Sequence, residues 1–198
     1  MPARPLFPDS LVTPRLLLRR LHADDAEALC RYRSLPEVAR YQGWESFDLE
    51  DAQRLIEDQR EAQPGVPGRW FQVALVDRVT HTVMGDCGLH CLAEEPLQME
   101  FGITLGPSHQ GQGYATEALE GLLQFMFATL GMHRVVAITG DQNLAAASLF
   151  RRSGFRQEAH HIEHRWYKGR WDSEFVFALL RREWEARLQS GACPAAGT

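Results

Sequence analysis

The chain has 198 residues, 44% of them hydrophobic and 24% charged, which suits one globular domain able to bury roughly 70% of its unfolded surface. A net charge of −5 gives no general attraction to nucleic acid, and no run of about 18 apolar residues is present to span a bilayer. Residues 1–13 lack a signal core, and four irregularly spaced cysteines (Cys30, Cys87, Cys91, Cys193) make a poor disulfide framework, so reduced thiols and a cytoplasmic location are expected.

Residues 1–12 read as a flexible N-terminal segment, residues 13–188 as the domain, and residues 189–198 as a flexible tail. Arg15–Leu21 reads as a strand. Asp24 and Asp25 suit the first turn of a helix reaching about Leu35, and Pro36 opens a short helical piece. Tyr41-Gln-Gly-Trp44-Glu-Ser-Phe47 is an aromatic loop before Asp48, which suits the N-cap of a helix through Ala62. Tyr41 and Trp44 are candidates for a substrate wall; packing at the core edge is the alternative. After the break at Pro64–Gly68, Trp70–Val76 and Val83–Leu92 read as an antiparallel hairpin, with Gly85 and Gly88 as bulge positions. The strand Leu97–Leu105 alternates strictly, with Gln98, Glu100, Gly102 and Thr104 on the polar face.

Gln110-Gly111-Gln112-Gly113-Tyr114-Ala115 then turns into a helix striped by Ala118, Leu119, Leu122, Leu123, Met126 and Leu130, and Gly131 ends it. Glycines let a backbone turn tightly and come close to a ligand, and a helix start offers unpaired N–H groups to an anion. A dinucleotide-binding turn wants a small residue where Thr116 stands, a P-loop wants Gly-Lys-Ser/Thr, and a connection without ligand needs neither. The helix leads to a strand at Arg134–Thr139, which implies a crossover to a parallel neighbour. Asn143 to Ser153 reads as a helix, Arg156–Trp166 and Glu174–Leu180 as strands around a turn at Lys168–Arg170, and Arg181–Gln189 as a helix. No metal site is expected: alternation puts Cys87 and Cys91 on one strand face and His90 on the other, and His160, His161 and His164 lack a helix to gather them.

The segment Leu105-Gly-Pro-Ser-His-Gln110-Gly-Gln-Gly113-Tyr-Ala115-Thr-Glu117 resembles the acetyl-CoA pyrophosphate loop of the GCN5-related N-acetyltransferase (GNAT) superfamily. Asn143-Leu-Ala-Ala-Ala-Ser148-Leu-Phe150 through Gly154-Phe155 resembles that superfamily's later segment, in which an asparagine opens a helix ending in Gly-Phe. Thr13-Pro-Arg, Thr116–Leu119 and the stretch from Gly169 to Trp184 narrow the likeness to the RimJ/RimL type of ribosomal-protein N-terminal acetyltransferase, and the whole likeness spans about Thr13 to Leu188.

The resemblance implies a single α/β domain with a mixed, largely antiparallel sheet and helices on both faces. It implies acetyl-CoA as cosubstrate and an amine-bearing acceptor, favouring a peptide N-terminal α-amine attacked directly in a ternary complex. A small-molecule amine acceptor (antibiotic, polyamine or amino acid) and a catalytically silent acyl-CoA-binding module are the alternatives. Backbone N–H groups from Gln110, Gly111, Gln112, Gly113, Tyr114 and Ala115 would hold the pyrophosphate. An N–H of Ile103 or Leu105 would polarise the thioester carbonyl, and Glu100 would assist deprotonation of the amine. Asn143 would contact pantetheine or simply cap its helix. Phe150 and Ala146 stand where relatives carry tyrosine and serine, which leaves Phe150 as a cofactor contact and Ser148, or water, to protonate the thiolate. Either monomer or homodimer is compatible with the sequence.

Overall fold

The computed structural model describes residues 6–190, so the expected tail from residue 191 onward lies outside the described residues. Eight strands form one sheet in the order β1-β2-β3-β4-β5-β6-β8-β7: β1 (Ser10–Val12), β2 (Leu16–Arg20), β3 (Trp70–Asp77), β4 (Val83–Cys91), β5 (Gln98–Leu105), β6 (Arg134–Gly140), β7 (Arg156–Tyr167) and β8 (Arg170–Leu180). Every neighbouring pair is antiparallel except β5–β6, the pair joined by the helical crossover. Helices α1 (Ala26–Arg33), α2 (Pro36–Ala39) and α3 (Leu49–Gln59) precede the central hairpin; α4 (Tyr114–Gln124), α5 (Leu144–Arg152) and α6 (Arg181–Gln189) follow it.

The two faces have separate cores. The apolar face of the sheet, including Leu18, Phe71, Leu89, Met99 and Phe101, packs against Leu119, Leu122 and Leu123 of α4, Phe150 of α5 and Trp184 of α6. The other face packs against Leu29 and Tyr32 of α1 and Ala52 of α3. There the buried Arg33 guanidinium pairs with the Asp86 carboxylate on β4, which also accepts from the Tyr32 hydroxyl at 2.6 Å. The stripe of α4 continues past Gln124 through a wider π-helical turn, Phe125–Thr129, that buries Phe125, Met126 and Phe127 together.

Two expectations are corrected. Within residues 6–12 the chain is part of the fold: Ser10–Val12 pair with Leu17–Arg19, and Phe7, 5% exposed, packs 5.0 Å from the Phe71 ring. Three residues of strand are too few to show a period, which is why this start is hard to read. In the hairpin, the register shift leaves Met84 as the extra residue, and Gly88 serves a different need: a Cβ there would lie 2.8 Å from the Trp70 indole.

Candidate active site

The ladder between β5 and β6 covers only Gln98–Glu100 against Arg134–Val136, whereas β5 stays paired with β4 through Leu105 and β6 with β8 through Gly140. Beyond Glu100 the two strands therefore part and open a cleft of about 610 Å³. The side to which each backbone group points follows from parity. The Gly106 N–H donates to Met84 O on the β4 side (2.9 Å), and the His133 N–H donates to Leu97 O from the β6 side (2.8 Å). Since neighbouring residues point their backbone groups to opposite edges, Ile103 and Leu105 turn theirs into the gap.

At one end of the cleft stands the glycine turn. Gly111 and Gly113 adopt φ of 72° and 82°, a left-handed backbone that favours glycine. Both glutamine side chains brace the loop from within, Gln110 donating to Leu105 O (2.9 Å) and Gln112 to Ser108 O (2.7 Å). The hydrogen bond from Glu117 N–H to Gly113 O starts α4 and leaves the N–H groups of Tyr114, Ala115 and Thr116 projecting ahead of it. The turn is tied to β2's approach segment through Glu117, whose carboxylate accepts from Thr13 Oγ1 (2.6 Å), Arg15 N (2.6 Å) and Arg15 Nε (2.7 Å). Burial pushes this carboxyl upward, but the bonds from Thr13 and Arg15 outweigh it and hold it below its usual value. Arg15 also donates to Gln112 O (2.9 Å) and lies 4.3 Å over the Tyr114 ring.

Helix α5 supplies the opposite wall. Asn143 caps it, its Oδ1 accepting from Ala146 N at 3.2 Å, and the residue lines the cleft. Ser148 lines the cleft, its Oγ accepting from Arg152 at 2.5 Å. Of the residues singled out from the sequence, Tyr41, Ile103, Leu105, Gln110, Gly111, Gly113, Tyr114, Ala115, Asn143 and Ser148 line this one cavity. Gln112 stands outside it as a brace.

Phe150 and Trp44 are corrections. Phe150 is 2% exposed and packs among Phe101, Phe155 and Phe177, away from the cleft, because a ring without a hydroxyl has nothing to hold it at a polar surface. Trp44 does not line the cleft: its indole donates to Arg33 O (3.0 Å) and stacks under the Arg33 guanidinium, while Tyr41 lines the cleft and donates to Gln142 O. The loop that carries both is held from above by the β7–β8 turn, where Lys168 Nζ donates to Ala39 O (2.6 Å) and Trp44 O (2.5 Å).

Glu100 stands just outside the lined cavity, on the α1 face of β5 where β5 and β6 separate. It shares that face with Gly102 and Thr104, and Thr104 lines the cleft. A Cβ added at Gly102 would meet nothing within 4 Å, so an open trough runs from Glu100 to Thr104. Across the ladder, Gly88 faces Gly102 and lies under the Trp70 indole, and His90 faces Glu100. Trp70, Thr104 and Arg152 were not singled out from the sequence. The signal for the trough was there, since Gly88 and Gly102 are cross-strand partners, but it needs the register to be seen.

Residues 15–156 match the acetyltransferase (GNAT) domain family. The chain is 30% identical over 177 residues to the uncharacterized N-acetyltransferase p20 of Bacillus licheniformis, covering 89% of this chain and 98% of that one. It is 25% identical over 182 residues to the [ribosomal protein uS5]-alanine N-acetyltransferase of Escherichia coli, covering 88% and 92%. Spermidine N-acetyltransferase from Vibrio cholerae, solved in complex with CoA and spermine, shares the fold with a TM-score of 0.73 at 20% identity, covering 86% of this chain and 98% of that one. The glycine turn at a helix start, the cleft between two parting parallel strands and the family match converge: this chain belongs to the GNAT acetyltransferases and is an acetyl-CoA-dependent N-acetyltransferase.

Proposed function

We propose that the protein acetylates the α-amine of a protein or peptide N-terminus in the cytoplasm, as a RimJ/RimL-type enzyme, by direct attack in a ternary complex. What carries this reading is the end of the β5–β6 ladder at Glu100. It leaves one cleft that a donor can enter from the glycine turn and an acceptor from the trough over Gly102, so both reach the same backbone edge. In this reading the N–H groups from Gln110 to Ala115, those of Gly111 and Gly113 foremost, hold the pyrophosphate, and Asn143 bonds the pantetheine arm. The N–H of Ile103 or Leu105 bonds the thioester oxygen as charge develops there. Glu100 takes a proton from the substrate ammonium, and Ser148, its oxygen held by Arg152, returns one to the departing thiolate.

Similarity over 88% of the chain to an enzyme named for a ribosomal-protein alanine supports a protein N-terminus as acceptor. A polyamine is the second reading, favoured by Glu37 on the cleft wall, a further carboxylate for a second ammonium, and by the net charge of −5. An acetylation screen of N-terminal peptides and polyamines, read by mass, separates the two. One acetyl on a peptide α-amine is the expected result, and turnover confined to polyamines selects the second reading. Acetyl-CoA binding with no CoA release across both panels overturns both in favour of a silent acyl-CoA-binding module.

A further inference from the structure

We infer that His90 is a second proton-handling residue, one that relays the substrate's proton from Glu100 to solvent. The inference rests on Glu100 being the acceptor of that proton. His90 and Glu100 are direct partners across the β4–β5 ladder, and His90 Nδ1 lies 3.6 Å from Glu100 Oε2. That nitrogen is closed off from solvent and makes no hydrogen bond, although the imidazole as a whole is 23% exposed and the carboxylate 26%. Buried polar atoms are rarely left without a partner, and one aimed at a carboxylate just beyond bonding distance is placed to bond it once either group shifts or takes a proton. The ring cannot easily turn away, because it lies flat on the Trp70 indole, 4.7 Å between centroids at 13°.

Other charges on this face are already bound. Asp86, on β4, is held by Arg33 and Tyr32 of α1. From β3 and α3 the neighbours are the uncharged Trp70, Gln72 and Gln59, the last bonded to the Gln72 N–H at 2.8 Å. From β6, Val136 stands beside Glu100. Arg134, beside Gln98 on the same face, pairs with Glu158, so among the described residues Glu100 is the charged group that His90 faces across the ladder.

The proton balance requires such an exit. An ammonium and a thioester give an amide, a thiol and one proton: the nitrogen loses two, one ends on sulfur, and the other must leave the enzyme. In the relay, the N–H bond of the ammonium breaks as an O–H forms on Glu100. The carboxylic acid then passes that proton to the Nδ1 lone pair, and the imidazolium loses a proton to water before the next turnover. Both groups return to their starting charges.

The test compares kcat as a function of pH, with one amine, for wild type, His90→Gln, His90→Phe and Glu100→Gln, alongside acetyl-CoA titrations. His90→Phe keeps a ring on Trp70 but has no nitrogen. Both His90 variants are expected to bind acetyl-CoA as wild type does, to lose about tenfold or more in kcat, and to give a kcat profile against pH whose shape departs from that of wild type, because the carboxylate no longer has a histidine with which to exchange its proton. A wild-type rate and profile in His90→Phe overturns the relay while leaving Glu100 in place. A wild-type profile in Glu100→Gln removes the Glu100 assignment, and the relay with it.

Discussion

Gly113 holds a φ of 82° at the start of α4, with the Arg15 guanidinium 3.3 Å from where a Cβ would sit. Exchange for glutamate adds backbone strain and sets a carboxylate where the proposed cradle receives phosphate. Gly113→Glu should weaken acetyl-CoA binding by about tenfold or more, equivalent to about 1.4 kcal/mol, in a direct titration; equal binding would remove the phosphate-cradle assignment. Gly102 makes the complementary case on the acceptor side. Its missing side chain leaves the trough open, so Gly102→Leu should lower kcat/KM for the amine at least about tenfold while the acetyl-CoA titration stays that of wild type. The two variants separate donor from acceptor with one assay each.

Helix α1 is anchored to the sheet by a buried charge pair, and that anchor is fragile in one direction only. Arg33→Met strands the Asp86 carboxylate between α1 and β4, and denaturant unfolding should show a loss of about 3–5 kcal/mol; Arg33→Met with Asp86→Leu should recover much of it. The junction of the β2 approach and α4 behaves differently, because Glu117 sits below its usual titration range in the folded protein. A carboxyl depressed by folding contributes stability above its unfolded value and loses it as pH falls through the folded one. The wild-type melting temperature should therefore fall more steeply below about pH 4.5, the ordinary value of a glutamate carboxyl, than that of Glu117→Gln. Parallel slopes would mean that the Thr13 and Arg15 bonds do not couple to folding.

For the molecule as a whole, features with a local signature could be read along the chain and features made by divergence could not. The polar face of Leu97–Leu105, the stripe of α4 and the parallel crossover to Arg134 each follow from a period of two or 3.6, and the two glycines of the turn from the backbone they permit. The point where β5 leaves β6, the trough over Gly102 and the Arg152–Ser148 contact depend on where strands stop pairing, which no window of sequence encodes. Phe150 shows the reverse error: its position in a motif suggested a cofactor contact, and three neighbouring rings drew it into the core. The turn that holds the Tyr41–Trp44 loop has a consequence for self-modification. Lys168 is the sole lysine in the sequence, every other basic side chain being arginine or histidine, and its ammonium is held by the carbonyls of Ala39 and Trp44. Burial lowers its basicity, yet the ammonium form, its protons turned to two carbonyl acceptors, carries no lone pair to offer a thioester. An enzyme that works with an acylating agent thus offers it no idle side-chain amine, and intact-mass measurement in excess acetyl-CoA should find Lys168 unmodified in the folded protein and acetylated once denaturant releases it.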